Sequence, residues 1–160
     1  MTVPQDAQLP TRARQIVSAF DPVVGLKLSI SRYSGLKNFQ FGEIRPHQGG
    51  TVGQWALHIQ CPWRIVAADR IVAGSADSSE ATELFPQYDP LTKSYLNVSD
   101  QLVVEQVHAD DHGGVDIQLS GGYRLQVFPD AKEGESWRLF EPAKTTPHFV
   151  IEQESPSRED

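Results

Sequence analysis

The stretch Trp55 to Val66, WALHIQCPWRIV, holds the chain's one cysteine and two of its three tryptophans, with His58, Gln60 and Arg64 threaded between apolar residues. Its odd positions are Trp55, Leu57, Ile59, Cys61, Trp63 and Ile65, while Ala56, His58, Gln60, Pro62 and Arg64 fill the even ones. Successive side chains of a strand point to opposite faces, so one register buries every large apolar group and a slip of one residue exposes them all. Pro62 has no N–H to give a ladder, which places it at an edge, a bulge or a strand break. The stretch therefore predicts two successive strand pieces, Gln54 to Gln60 and Trp63 to Val66, after which Ala-Asp-Arg turns the chain into a third at Ile71 to Gly74.

The same period of two runs outward in both directions. In GLKLSIS, Leu26, Leu28 and Ile30 oppose Lys27, Ser29 and Ser31; YSG then reads as a turn, and LKNFQFGEI continues with Phe39 and Phe41 until the loop RPHQGG. The last third reads as a meander of LVVEQVHA, VDIQLS and YRLQVF separated by DDHGG and GG, whose glycines supply the positive backbone angles of tight turns. WRLF and HFVIE read as two further strands. Only near the start does the period change: Ala13, Ile16, Val17 and Phe20 fall at i, i+3, i+4 and i+7, with Thr11 as N-cap and Pro22 limiting continuation. The section from Ser75 to Asp100 is polar and carries Pro86 and Pro90, with room for one short helix around Leu91 to Asn97. The reading is an α+β fold, mostly antiparallel β, with about eight to ten short strands in hairpins and meanders and one N-terminal amphipathic helix. One β-rich domain over 10–152 is expected between disordered tails at 1–9 and 153–160. A parallel α/β fold needs alternating helices that this pattern lacks.

The chain of 160 residues is one domain's worth. Its 14 Lys and Arg against 21 Asp and Glu give a formal charge of −7, which disfavours a phosphate-backbone partner because such binding runs on clustered cations. Ordinary solubility accounts for the acidity; a basic protein partner is the sharper alternative, since opposite potentials speed encounter. One cysteine cannot form an internal disulfide, so a reducing compartment fits. The opening MTVPQDAQLP has neither a basic n-region nor an apolar h-region, and no stretch approaches the roughly 18 apolar residues of a membrane span, so the expected address is the cytoplasm.

No cofactor or catalytic motif stands out. His58, Gln60 and Arg64 share the even face and offer donors and acceptors for a carboxylate or a polar partner loop, or form a solvated face in which Arg64 pairs with an acid. Cys61 points away from His58, a poor arrangement for a Cys–His dyad, and reads as a small buried hydrophobe. In His108-Ala-Asp-Asp-His112 two imidazoles flank two carboxylates, but a His-x3-His ligand pair needs a helix to share one face, and this run straddles a strand end and a turn. It is a weak metal candidate at most. HQGGT and SGGYR lack the strand–loop–Lys–helix order of a phosphate cradle. Ser75, Asp77 and the histidines make no recognisable triad. Trp137 and Phe140 read as core and rim packing rather than a stacking platform for bases. The acidic loop from Ser75 to Asp89 offers Leu84, Phe85 and Tyr88 as apolar anchors inside a negative rim.

The combination of ALHIQCPWRI with GGYRLQVFPD and ESWRLF resembles a group of bacterial proteins of unknown function, in which a W-x-L-x-I-x-x-P-W-R segment is followed by a hairpin and a terminal W-x-L strand. Some such domains accompany polymorphic toxin systems and look like immunity proteins. The resemblance runs from Gly53 to Glu152 and brings no catalytic residues with it. It implies a fold more than an activity; together with the acidic balance and the absence of a catalytic constellation, it leads to the expectation of a non-enzymatic, cytoplasmic, protein-binding domain whose partner is a basic protein such as a toxin. A second expectation is a small-molecule binder or weak hydrolase with a pocket opening between sheet and helix, lined by His58 and Arg64 with His108 as a further candidate. A third is a homodimer made through exposed edge strands, in place of a monomer.

Overall fold

The structure is a computed structural model that describes residues 11–33, 36–77, 88–89, 94–96 and 102–153. Thr11 Oγ1 accepts the Arg14 N–H (3.2 Å) and starts helix α1, Arg12–Ala19, satisfying one of the N–H groups a helix start leaves over. Ile16 and Phe20 are fully buried, and Pro22 lies in the 3-10 turn Asp21–Val23 that follows.

The strands in chain order are β1 (Leu28–Tyr33), β2 (Leu36–Phe41), β3 (Arg45–His47), β4 (Gly50–Val52), β5 (Trp55–Ile59), β6 (Trp63–Val66) and β7 (Ile71–Gly74). They continue with β8 (Tyr88–Asp89), β9 (Ser94–Leu96), β10 (Val104–Ala109), β11 (Val115–Leu119), β12 (Arg124–Val127), β13 (Gly134–Phe140) and β14 (Phe149–Gln153). Among the described residues they form a seven-stranded sheet ordered β14-β13-β5-β2-β1-β9-β8, a five-stranded sheet ordered β10-β11-β12-β6-β7, and the hairpin β3-β4. The fold is α+β and mostly antiparallel β, as the alternation predicts.

Two expectations are corrected. RPHQGG is not a plain loop: β3 and β4 pair across Gln48 (φ 47°) and Gly49 (φ 78°), the two positive angles of a two-residue hairpin turn. The segment expected as a short helix around Leu91 to Asn97 instead carries β9, which pairs with β1 through Ser29↔Leu96 and Ile30↔Tyr95. Ladder bonds along β1 outweigh a helical preference too short to nucleate alone. These additions bring the strands to fourteen among the described residues, above the eight to ten expected.

The stretch that opened the sequence reading is divided between the sheets. β5 lies in the larger sheet and β6 in the smaller, and Gln60, Cys61 and Pro62 make the crossing. Proline costs no ladder bond at that point, and its carbonyl accepts the Phe128 N–H (2.8 Å). Both halves keep their odd residues inward: Leu57 and Ile59 from one sheet meet Trp63 and Ile65 from the other in one apolar cluster, with the Phe39 and Trp63 rings edge to face at 5.0 Å. The two sheets thus pack face to face. Helix α1 covers an open side of this sandwich. Its Phe20 ring lies 5.7 Å from Trp137, and the Ala13 N–H donates to Asp111 Oδ1 at the β10–β11 turn (2.9 Å). No described helix is long and apolar enough to cross a membrane.

Candidate functional site

The outer face of the seven-stranded sheet gathers a polar and aromatic cluster around His58. The ladder pairs His58 with Asn38 on one side and Arg138 on the other, and Ala56 with Phe140 one row along. Glu135 joins them through a bulge. β13 pairs Glu135 with Glu152 but Trp137 with Ile151, so Ser136 is an extra residue on that strand. In a regular strand residues three apart face opposite ways; the added residue turns Glu135 to the face that carries Arg138. The Ser136 carbonyl accepts the Gln60 N–H (2.8 Å), fixing the bulge to the end of β5.

The side chains are mutually engaged. Arg138 donates Nε–H to both oxygens of Glu135 (3.2 and 3.0 Å), with Nη2 on Oε1 as well, and the Gln60 amide donates to Glu135 Oε2 (2.8 Å). Arg138 Nη1 lies 3.0 Å from His148 Nδ1. A guanidinium only donates, so that ring nitrogen accepts and His148 carries its proton on Nε2. The buried Phe140 ring lies between the imidazoles, stacked on His148 at 4.2 Å and edge-on to His58 at 4.8 Å.

Electrostatics follow this geometry. Hydrogen bonding to Arg138 holds the Glu135 carboxyl below its usual range, and the same bond raises Arg138. Burial, then the neighbouring guanidinium, lowers His58, against the pull of Glu135. At neutral pH the cluster holds an ionised carboxylate, a guanidinium and a neutral His58. Glu152, opposite Glu135 on the edge strand, is exposed, and its charge also helps to raise Arg138. Not all of this face meets water, since Asn38, Gln40 and Ala56 are buried.

His58 and Gln60 therefore come together as expected; Arg64 does not join them. After the crossing it stands on the outer face of the five-stranded sheet, its Nε–H donated to Gln126 Oε1 (2.8 Å) and its guanidinium 5.1 Å from the Phe128 ring centre. Among the described residues it reaches an acid at one remove, because Gln126 donates to Asp116 Oδ2 (3.2 Å). His108 is on that same sheet, paired with Asp116 on β10 and β11. A pocket shared by His58 and Arg64 is excluded by this placement on opposite faces of the sandwich.

The carboxylates of the HADDH run serve the backbone. Asp110 Oδ1 accepts the N–H groups of His112 (2.8 Å) and Gly114 (2.9 Å), and Asp111 holds the start of α1. Among the described residues no three His, Cys, Asp or Glu side chains are grouped to hold a metal ion. Cys61 sits half-buried in the crossing, and burial, with Asp130 nearby, pushes its thiol up to about 11. Trp137 is a core residue; Phe140 lies on the outer face. Tyr88 enters β8 at the sheet edge, while Leu84 and Phe85 lie outside the described residues.

Sequence reasoning missed Glu135, Arg138, Phe140 and His148 as members of the site. The signal available was the polar pair flanking a tryptophan in ESWRLF, and its meaning rests on a bulge that leaves no mark in the alternation. Compared with known proteins, the chain matches no family model, no curated protein and no solved structure.

Proposed function

We propose that this chain is a non-enzymatic protein-binding domain, of the kind an immunity protein represents, and that it meets a basic partner through the outer face around His58, Gln60, Glu135 and Arg138. The observation that carries this is the facing pair Glu135 and Glu152, two carboxylates directly opposite on neighbouring strands that both favour the charge of Arg138. Glu135 is already engaged by Arg138 and Gln60, which leaves the exposed Glu152 as the carboxylate that a Lys or Arg from a partner can pair with. The exposed His148 ring, backed by the buried Phe140, supplies an aromatic contact, and Arg138 is already held in place, so docking there orders few side chains. The formal charge of −7 and the resemblance from Gly53 to Glu152 support the same reading.

Tagged wild-type protein and a Glu135→Lys, Glu152→Lys variant, both shown to be folded by circular dichroism, are exposed to extract of the source cell at low and high salt. One basic protein, identified by mass spectrometry, is expected on the wild type at low salt and absent from the variant. Equal retention by both, or no basic protein on either, removes the proposal.

A further inference from the structure

A second site lies at the end of the sandwich where β5 begins. A cavity of about 590 Å³ opens between the segment after α1, the β3–β4 hairpin and the loop joining β13 to β14. That volume falls within the usual range of small-molecule sites. Trp55, Leu26 and Pro46 form apolar parts of its wall. Trp63 and Trp137 are almost wholly buried at 5% and 0% exposure, whereas Trp55 at the strand end is only partly covered. A partly buried indole in a cavity wall gives a flat ligand an apolar aromatic surface to pack on.

The lining charge reverses that of the whole molecule. Arg45 comes from the hairpin, Lys144 and Glu141 from the loop, so the wall carries two cations and one carboxylate in a chain of formal charge −7. Glu141 is occupied by Lys144 Nζ (2.8 Å) and by the Thr146 hydroxyl (3.3 Å), and Arg45 leans on Glu43 (3.1 Å) outside the cavity. Both cationic side chains remain 66% exposed, so these pairs are weak and exchange readily for a better anion. The two cations come from different segments that line the same cavity.

We propose that this cavity binds a small organic anion with a flat apolar body, the ring against Trp55 and the charge towards Arg45 and Lys144. This site is separate from the outer-face cluster, and its test is independent of any protein partner. The probe is 8-anilinonaphthalene-1-sulfonate, with uncharged N-phenyl-1-naphthylamine for comparison. Titration of the full chain is followed by the three tryptophan indole N–H resonances, with the Trp55 signal assigned by its loss in Trp55→Phe. Saturable one-to-one binding is expected, with movement of the Trp55 resonance and affinity that falls as salt rises. Arg45→Glu with Lys144→Glu should weaken it by about tenfold or more, and the uncharged relative should bind more weakly by a similar factor. The exposed positions of both cations leave the fold undisturbed, which an unchanged thermal midpoint would show. The proposal is overturned by binding that does not saturate, by a still Trp55 resonance, or by equal affinity after the charge reversals.

Discussion

Glu135 and Arg138 share one face of β13 although they stand three positions apart, and the extra residue Ser136 is the reason. This pair organises the outer cluster. It receives Gln60 from the crossing after β5 and hands His148 a hydrogen bond from the guanidinium, so strand β13 and two connecting segments meet at one ion pair.

Acid should loosen the fold in two stages. The folded state lowers His58 below its ordinary 6.5, so the stability this gives is fully present above 6.5 and is lost as pH falls from there towards the folded value. Glu135, lowered from 4.5, adds stability that is lost on further descent below 4.5. Urea midpoints measured at intervals from pH 8 to pH 3 should decline along both limbs. In His58→Gln the upper limb should flatten, and persistence of that limb would assign it to another group.

The ion pair itself is partly screened, with the Arg138 side chain about one-third exposed. Coupling between Glu135→Gln and Arg138→Met in a double-mutant cycle is therefore expected at about 1 kcal/mol rather than the several expected of a dry pair. A coupling near zero would show that the bulge holds without the charges.

Trp137 binds the two sheets together: its indole N–H donates to the Gly113 carbonyl at the β10–β11 turn (2.8 Å). Trp137→Phe leaves that buried acceptor unpaired and opens space in the core, so a loss of about 2–4 kcal/mol in urea unfolding is expected. Gly113→Ala should weaken the same joint from the other side. Its φ of 92° suits glycine, and a methyl group there would lie 2.6 Å from Ile151 Cγ2.

Cys61 should be a slow thiol. With its ionisation pushed up to about 11, roughly one molecule in a thousand is thiolate at pH 8, by the tenfold change per pH unit of a simple titration. Alkylation by iodoacetamide is expected to run at least about tenfold slower than for a free cysteine at that pH, and to quicken with each unit up to about pH 11. A fast reaction at pH 7 would contradict the half-buried, acid-flanked setting.

Much of the fold was legible locally. Alternation in Leu26 to Ile30, Trp55 to Ile65 and Val115 to Leu119 predicts which side chains turn inward, because a strand's period of two is a property of consecutive residues. Thr11, Pro22 and the Gly121–Gly122 turn were likewise readable, since caps and tight turns depend on residue chemistry at a few positions. The His58–Gln60 pairing follows from the same rule.

Partnership between strands was not legible. Nothing within WALHIQCPWRIV states that Pro62 carries the chain from one sheet to the other, and so Arg64 parted from His58 only when β6 paired with β12 and β7. Nor does ESWRLF announce that Ser136 is bulged, which is what brings Glu135 beside Arg138 and both beside His58. Those arrangements depend on ladder bonds between residues up to about eighty positions apart, such as Arg138 and His58. Local residue order determined the faces of each strand; long-range hydrogen bonding and burial of one common core decided which faces became neighbours.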